Sequence, residues 1–543
     1  MPITTSTQHF RTETAEILDT LEAHPERTAL VHQGRRITSG ELRDLTHRLA
    51  RAMRAQGIDR GQTVTLLSGN LPEAVAARYA ANLIGCRVNQ LYNKLPVDTQ
   101  ATMVRDVETR ALIVDPRHAD RAAGITGRTP VATVLVLGPA EVGTDPVGTD
   151  PVGTDPVGTD PVGTDPVGTD LLALAADQSA DPFPCQARPQ DVRTIRHSGG
   201  TTGHSKGICV GYGQVRRFGP DLPDDPTEPL RLLVCTTIAH AAGQMTDKVL
   251  RAGGSALLLD DFDPATVLST IEQERITDVF LMPPLLYQLM DHPQADRADT
   301  TSLRRLTYGG CQASPARLAD AIRRFGPVLV QLYGQHEAGI VSVLDTADHD
   351  PRRPERLRSV GRIAPGYQVA IRDEAGRELA TGERGEVCVR SDSLMQGYWK
   401  QPELTAEVLK DGWLHTGDIG YLDADGYLTI VDRLKDLINT GGGHVYTSEL
   451  EDLLNSHPQV RQSAVFGVPD ADRVERVHAV VVPVPGSRVD AGELCAMVRE
   501  GRGTMYEPYR VTFRDALPLT DAGKPDKKVL RWQAEGLRES TGS

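Results

Sequence analysis

Hydrophobic and polar positions follow two periods along most of the chain. In one segment the apolar positions recur at helical spacing, at Leu42, Leu45, Leu49 and Met53. This pattern predicts a helix that begins at Ser39, which is placed to cap it, and stops at Gly57. The short run at residues 63–67 then predicts a buried strand.

The same alternation of strand and helix returns further along. Strands are predicted at 255–259, 278–282 and 328–332, with helices at 264–274 and 314–325. Such alternation favours largely parallel sheets with helices on their faces. We therefore predict an α/β fold, with a large N-terminal domain of mostly parallel sheets and flanking helices over residues 1–432.

The alternation of predicted strands and helices changes near residue 432. A helix is predicted from Ser448 and another from Asp490, with strands around 464–466, around 480–482 and near Val511. This mixture predicts a small, mobile α+β C-terminal domain over residues 433–543, which is a common domain size.

Residues 142–170 form a low-complexity repeat. Val-Gly-Thr-Asp occurs six times, and five copies are followed by proline. Gly, Pro and Asp at this density favour turns and cannot build a core. We predict an expanded surface loop. A calcium-binding repeat is the alternative, but each pentad offers one carboxylate, which is sparse for a calcium loop.

Composition narrows the function classes. The net charge of −14 and the aromatic content of 4% argue against a nucleic-acid binder. The seven cysteines include no CxxC pair, so zinc and disulfide frameworks are disfavoured and a cytoplasmic location is expected. No run reaches the ~18 apolar residues that a membrane span needs.

Chemistry-bearing residues concentrate in glycine-rich turns. The segment 198–207 combines glycines with hydroxyl donors and Lys206, which suits a phosphate, although the Walker A spacing is absent. Tyr333 and Glu337 follow a predicted strand, where ligands bind in open α/β sheets. Asp418 and Arg433 offer a carboxylate and a guanidinium for ribose hydroxyls or phosphate.

Together these motifs resemble the adenylate-forming superfamily of acyl- and aryl-CoA synthetases, peptide-synthetase adenylation domains and luciferases. The resemblance runs from about residue 28 to Arg531. Its elements occur in the family's order, at 198–207, 240–243, 333–337, 416–418, Arg433 with Lys435, 441–443 and 523–524.

The resemblance implies ATP, Mg²⁺ and coenzyme A as cofactors and co-substrate. Residues of the glycine-rich loop would hold pyrophosphate together with Lys206, and these are Ser198, Gly199, Gly200, Thr201, Thr202 and Gly203. The remaining nucleotide contacts implied are Gly310, Cys311, Tyr333, Gly334 and His336 around adenine and phosphate, and Asp418 and Arg433 at the ribose.

Other implied roles concern the metal and the acyl group. Glu337 and Thr201 would ligate Mg²⁺, and His240 would line the acyl pocket and gate the thiol tunnel. Lys524 would bridge the attacking carboxylate and the α-phosphate. Lys435 would be the hinge, and the pantetheine arm would pass Gly441 and Gly442.

The chain departs from the family's pattern at a few positions. His336 stands in place of a threonine, Ser205 and Pro525 replace a proline and an aliphatic residue, and residues 473–475 differ as well. These departures bear on the acceptor.

The leading prediction is an AMP-forming acyl- or aryl-CoA ligase, in secondary metabolism for example. One alternative transfers the acyl group to a carrier-protein thiol or an amine, or activates an oxyacid such as nitrite for nitrogen chemistry. Another is a catalytically weakened nucleotide-binding relative. The expected partners are a small carboxylic acid and a carrier protein acting in trans, with a homodimer as one assembly to test.

Overall fold

The computed structural model describes residues 10–139, 168–197, 206–214, 229–440, 443–470, 475–519 and 525–539 of the 543 in the chain. Nearly all of the Val-Gly-Thr-Asp repeat lies outside these ranges, so its interpretation as a surface loop stays a prediction. No helix in these ranges is long and apolar enough to cross a membrane.

The first part of the chain alternates strands and helices. The strands are β1 (Thr28–His32), β2 (Arg35–Thr38), β3 (Thr63–Leu67), β4 (Arg87–Leu91), β5 (Thr109–Val114), β6 (Thr133–Val136), β7 (Thr169–Asp170), β8 (Val192–His197) and β9 (Gly207–Gly211). The helices are α1 (Glu13–Ala23), α2 (Ser39–Ala55), α3 (Pro72–Ile84), α4 (Val97–Asp106), α5 (Ala119–Thr126) and α6 (Leu171–Ala176).

The middle of the chain continues this pattern and then becomes strand-rich. The helices are α7 (Ala241–Arg251), α8 (Pro264–Gln273), α9 (Pro283–Asp291), α10 (Pro315–Phe325), α11 (Pro354–Arg358) and α12 (Pro402–Val408). The strands are β10 (Arg231–Val234), β11 (Ser255–Leu258), β12 (Asp278–Leu281), β13 (Arg305–Gly309), β14 (Leu329–Gln335), β15 (Gly339–Leu344), β16 (Gly361–Ile363), β17 (Gln368–Arg372), β18 (Gly385–Arg390), β19 (Gly397–Tyr398), β20 (Leu409–Lys410), β21 (Trp413–Leu422), β22 (Tyr427–Arg433) and β23 (Ile438–Asn439).

The last part mixes short strands with three helices in the described residues. It contains β24 (His444–Val445), α13 (Thr447–Asn455), β25 (Val460–Pro469), β26 (Glu475–Pro483), α14 (Ala491–Arg502), β27 (Arg510–Phe513) and α15 (Lys527–Glu539). Strand β26 pairs antiparallel with β25 and parallel with β27.

Local sequence explains how α2 begins. The Thr38 hydroxyl accepts a hydrogen bond from the Glu41 backbone N–H (3.1 Å), while the Glu41 carboxylate accepts one from the Thr38 N–H (2.7 Å). This capping box satisfies two amides that the helix leaves unpaired. The cap is therefore Thr38, and the prediction of Ser39 as the cap was wrong by one residue.

Two sheets form the large body of the molecule. One follows the order β17-β18-β21-β22-β16-β15-β14-β13-β12-β10-β11-β1-β2, and the other the order β19-β9-β8-β4-β3-β5-β6-β7. In the first sheet, strands β1 and β10–β14 pair in parallel, as the alternation predicted.

Beyond β14 the pairing changes. From β15 to β22 the strands of the first sheet are antiparallel, a feature that the alternation did not predict. Tight turns connect several of these strands, and a tight turn can join only antiparallel neighbours. This arrangement brings the ends of β14 and β22 to the middle of β21.

Candidate active site

Four side chains meet where strands β14 and β22 end beside the middle of β21; we call Tyr333, Gln335, Asp418 and Arg433 the strand-end cluster. The Tyr333 hydroxyl and the Gln335 Nε2 each donate to Asp418 Oδ2 at 2.7 Å. Arg433 Nε lies 3.3 Å from Asp418 Oδ1. Asp418 and Arg433 are register partners on adjacent strands, so backbone pairing sets their approach.

The cluster leaves one cation open to a ligand. The Asp418 side chain is 5% exposed, whereas the Arg433 side chain is 48% exposed. Burial and the neighbouring Asp418 carboxylate raise the pKa of Tyr333 well above its ordinary value, so its hydroxyl remains a donor. The arrangement presents oriented oxygen and guanidinium groups at a strand end, where hydroxylated ligands can be recognised.

Further contacts support the part of β21 that carries Asp418. Glu386 accepts hydrogen bonds from the Gly417 N–H at 3.1 Å and from His415 Nδ1 at 2.7 Å. Gly417 has φ +70°, a left-handed conformation that glycine tolerates. The Glu386 carboxylate therefore holds both the Gly417 backbone and the His415 imidazole in place.

Together with Cys388, Glu386 and His415 form a group whose ligand atoms lie within 4.8 Å of one another. Burial raises the pKa of Cys388 to about 11, which opposes the thiolate that a metal needs. The Glu386 carboxylate raises the pKa of this thiol further, whereas Arg372 and Lys410 lower it. We interpret Glu386, Cys388 and His415 as structural support for the part of β21 that carries Asp418.

The turn between β14 and β15 carries Glu337. Its carboxylate accepts a hydrogen bond from the Tyr398 hydroxyl at 3.1 Å. Lys206 Nζ lies 5.0 Å from the centre of the same tyrosine ring. A Cβ on Gly334 would lie 2.1 Å from the Gly339 carbonyl oxygen, so only glycine permits this tight hairpin. Lys206 and Glu337 are therefore neighbours through Tyr398.

The same turn also carries His336, whose imidazole packs against that of His240. The rings of His240 and His336 stack with centroids 5.9 Å apart and planes 7° from parallel. The Tyr92 ring lies 5.8 Å from that of His240. His240 directly precedes α7 as its N-cap residue. The departure at His336 therefore falls beside the residue that the resemblance assigns to the acyl pocket.

Gly310 and Cys311 follow directly after β13. Strand β13 pairs in parallel with β14, and a Cβ on Gly309 would lie 2.4 Å from the Leu332 carbonyl oxygen. Gly310 has φ +87°. Both residues thus leave the sheet at the edge where Tyr333 ends the neighbouring strand, which agrees with a position beside the same ligand.

Comparison with known proteins identifies the family. A sequence model described as AMP-binding enzyme matches residues 18–399, and one described as AMP-binding enzyme C-terminal domain matches residues 449–524. The chain belongs to the AMP-binding enzyme family.

Relatives of this AMP-binding enzyme match it over nearly its full length. The medium/long-chain-fatty-acid–CoA ligase FadD8 of Mycobacterium tuberculosis is 36% identical, with 96% of this chain and 90% of the relative covered. A feruloyl-CoA synthase of Amycolatopsis is 35% identical, with 93% and 96% covered. The solved structure of the amide bond synthetase McbA from Marinactinospora thermotolerans superposes with a TM-score of 0.83, at 35% identity, with 96% and 100% covered.

In this AMP-binding enzyme, Lys435 lies just beyond the strand-end cluster. Burial, followed by the nearby charge of Arg433, lowers the pKa of Lys435. Lys435 lies between β22 and β23, where the large sheet gives way to the smaller ones. Its position agrees with a connection between two bodies.

A separate group of charges lies where β22 meets α13 and α15; we call Asp432, Thr447, Glu451 and Lys527 the junction cluster. Asp432 accepts hydrogen bonds from the Thr447 N–H and from its hydroxyl, the latter at 3.3 Å. Lys527 Nζ donates to the Thr447 hydroxyl and lies by Glu451 Oε1, both at 2.8 Å. These contacts join the strand to the C-terminal helices.

Several predicted site residues lie outside the described residues. They are Ser198, Gly199, Gly200, Thr201, Thr202, Gly203, Gly441, Gly442 and Lys524. Among the described members, Asp418 and Arg433 meet beside the end of β14, and Glu337 lies in the turn that follows β14. Lys206 lies near Glu337 through Tyr398.

Sequence reasoning missed three residues in this AMP-binding enzyme. Gln335 sits two residues after Tyr333, and the two-residue period of a strand could have placed both on one face. Glu386 and Tyr398 gave no such signal, because their partners lie at least 29 residues away in sequence.

Proposed function

We propose that this protein is an ATP-dependent, AMP-forming acid–CoA ligase. In the first half-reaction a carboxylate oxygen of the acid attacks the α-phosphorus of ATP, and the bond to pyrophosphate breaks. In the second, the sulfur of coenzyme A attacks the acyl carbon, and the bond to AMP breaks. The first step needs no general base, because a carboxylic acid is already ionised at pH 7.

The strand-end cluster carries this proposal. It offers the Asp418 carboxylate and the exposed Arg433 guanidinium beside Glu337 in the β14–β15 turn. Lys206, which directly precedes β9, lies near Glu337 through Tyr398. We assign Asp418 and Arg433 to ribose, and Gly310, Cys311 and Tyr333 to adenine.

A further assignment concerns the phosphates of ATP. We assign Lys206 and the 198–203 loop to them, with Gly334 and His336 close by. Lys524 would stabilise the charge that develops on the α-phosphate.

Mg²⁺ fits the donor set of this site. Hard divalent cations prefer carboxylate and hydroxyl oxygens, which Glu337 and Thr201 supply. When bound, the ion would neutralise phosphate charge. One oxygen of the Glu337 carboxylate is already oriented by the Tyr398 hydroxyl.

We also propose the division into residues 1–432 and 433–543, with a hinge near Lys435. In the described residues, the apolar clusters built from residues up to 430 are separate from those that begin at Ile438. A chain whose cores separate in this way can move one body relative to the other. Two half-reactions over one pocket would use that motion.

The acceptor is proposed as the coenzyme A thiol because the two curated relatives above are named a fatty-acid–CoA ligase and a feruloyl-CoA synthase. Gly441 and Gly442 would let the pantetheine arm pass close to backbone. The acid is then an aliphatic or aromatic carboxylic acid.

Acid-dependent ATP–pyrophosphate exchange over a panel of fatty and aromatic acids tests the first half-reaction. Thioester formation with free coenzyme A and the best acid tests the second. Gly442→Trp should block thioester formation and leave exchange intact. An acyl-adenylate that never yields a thioester would contradict coenzyme A as the acceptor.

A second candidate function is amide formation with an amine acceptor. Two observations favour it: the likeness to a solved amide bond synthetase, and the stacked His240–His336 pair beside the acyl side of the site. An amine is protonated at pH 7 and must lose a proton to attack, and a neutral imidazole can take it. The enzyme can be supplied with amines in place of coenzyme A, and any amide product can be measured by mass spectrometry. This experiment separates amide formation from thioester formation.

A carrier-protein thiol is a further acceptor to test in trans. One relative, at 28% identity, is named a fatty acid–[acyl-carrier-protein] ligase. Incubation with a phosphopantetheinylated carrier protein and the best acid would reveal acyl transfer as a mass increase of the carrier.

A further inference from the structure

Residues 395–399 connect two parts of the active site through the backbone. The Met395 N–H donates to the Glu337 carbonyl at 2.7 Å, and the Trp399 N–H donates to the Gly207 carbonyl at 2.7 Å. Strand β19 pairs antiparallel with β9, with Tyr398 opposite Ile208. The segment is thus held at one end by the turn that carries Glu337 and at the other by the strand that follows Lys206.

Close packing fixes the position of this segment. A Cβ on Gly207 would lie 3.1 Å from the Trp399 Cβ and 2.9 Å from a methyl of Ile195, so glycine is needed where the strands approach. The Trp399 Nε1 donates to the Asp106 carbonyl at 3.0 Å. Tyr398 itself is 8% exposed. Its ring therefore has little freedom to move.

The Tyr398 side chain contacts an acidic and a basic residue of the site at once. Its hydroxyl donates to Glu337 Oε1 at 3.1 Å, and its ring lies 5.0 Å from Lys206 Nζ. A tyrosine hydroxyl is protonated at pH 7, so it donates to the Glu337 carboxylate. The ring face is negative and attracts an ammonium group.

We propose that Tyr398 is a positioning residue that orients Glu337 toward the metal and Lys206 toward the phosphates of ATP. This inference rests on the proposed function. The hydroxyl fixes the rotation of the Glu337 carboxylate, and the ring fixes the ammonium. Each contact removes freedom that ligand binding would otherwise have to remove.

Two variants separate the two contacts. Tyr398→Phe keeps the ring and removes the hydroxyl, so only Glu337 loses its orientation. We expect the Mg²⁺ concentration for half-maximal ATP binding to rise about tenfold, the scale of one hydrogen bond to a charged group. ATP binding in EDTA should stay near the wild-type value. Tyr398→Leu removes the ring as well, and binding in EDTA should then weaken too.

A matched control comes from Tyr427. Its hydroxyl donates to Asp348 Oδ1 at 2.6 Å, and the residue is 4% exposed. Tyr427→Phe therefore removes the same kind of hydrogen bond at a position outside the proposed site. It should lower the melting temperature to a similar degree but leave the Mg²⁺ dependence of ATP binding unchanged.

Isothermal titration calorimetry of ATP binding, at a series of Mg²⁺ concentrations and in EDTA, is the measurement. An unchanged Mg²⁺ dependence in Tyr398→Phe would overturn the positioning role, as would an equal change in Tyr427→Phe. This readout needs no turnover. If no acid supports pyrophosphate exchange while Tyr398→Phe still shifts the Mg²⁺ dependence, the ligase proposal fails and the positioning role stands.

Discussion

The strand-end cluster and the junction cluster use the same chemical groups in opposite ways. Asp418 and Asp432 lie on paired strands β21 and β22. Asp418 is bonded to an arginine whose side chain is 48% exposed. Asp432 accepts a hydrogen bond from the first turn of α13. Burial raises the pKa of Asp432, and the nearby charge of Lys527 lowers it by a smaller amount.

The two clusters differ in whether the partners of their charged groups lie within the protein or in a ligand. In the junction cluster, burial by itself would lower the pKa of Lys527. The negative charges of Glu451 and Asp432 outweigh burial, so the pKa of Lys527 is raised. Its charges are satisfied within the protein. In the strand-end cluster a guanidinium remains available to a ligand. We therefore expect changes at the junction to affect stability, and changes at the strand ends to affect catalysis.

The largest expected effect is from Lys527→Met. The Lys527 and Glu451 side chains are 24% and 18% exposed, so removing the cation leaves a half-buried Glu451 and the buried Asp432 uncompensated. We expect a loss of about 3 kcal/mol of unfolding free energy, the low end of the cost of breaking a fully buried pair. Urea unfolding followed by circular dichroism measures this. Lys528→Met is the control, because that side chain is exposed. Equal stability of the two variants would contradict the structural role of the junction cluster.

Lys524→Ala should have the opposite profile, although Lys524 is only three residues from Lys527 in sequence. We expect pyrophosphate exchange to fall by about two to three orders of magnitude, because a positioned cation stabilises the transition state. Nucleotide binding and the urea midpoint should stay near wild type, since the group acts mainly in the transition state. Near-normal exchange would remove Lys524 from the site.

Asp418→Ala tests the strand-end cluster. It removes the acceptor for Tyr333, Gln335 and Arg433, and we expect the KM for ATP to rise about tenfold or more, as for a lost charged hydrogen bond. The KM for the acid should change less. Asp348→Ala removes a carboxylate that accepts from Tyr427 and serves as the control. A rise in KM for the acid alone would place Asp418 elsewhere in the mechanism.

The contact between α13 and the large body predicts a dependence on pH. The pKa of Asp452 is raised to about 7, mainly by burial. Glu451 and Glu449 raise it further. Arg358, whose Nε lies 3.9 Å away, and Arg502 lower it. A raised pKa in the folded state means that stability is full below the unfolded pKa of about 4 and declines as pH rises toward 7.

Asp452→Asn should remove that decline. We expect the variant to match the wild type near pH 4 and to exceed its unfolding free energy by about 1–2 kcal/mol at pH 8. Urea midpoints across this pH range provide the measurement. A constant difference between the two proteins at every pH would contradict the titration of Asp452.

Deleting residues 147–166 should have the smallest effect of all. The repeat has turn composition and no group with a catalytic assignment. Surface loops tolerate changes in length well. We expect the melting temperature and turnover to stay within a few per cent of wild type. A drop in melting temperature of more than a few degrees, or a large loss of turnover, would contradict this prediction.

The sequence by itself determined the chemistry-bearing segments and their strand ends. The glycines before Cys311 and the residues from Tyr333 to Glu337 follow predicted strands, and the structure has strands there. Asp418 and Arg433 were selected for their ionic groups and do meet. Local patterns suffice for these features because strand period, turn residues and side-chain chemistry are all properties of short segments.

Only the tertiary structure decided which segments meet. Tyr398 contacts Glu337 across 61 residues, and Lys527 reaches Thr447 across 80. These contacts depend on the antiparallel order of β15 to β22 and on the packing of α15 near α13. Hydrophobic period shows that a strand has a buried face, but not which strand will lie beside it, because pairing is set by the whole sheet.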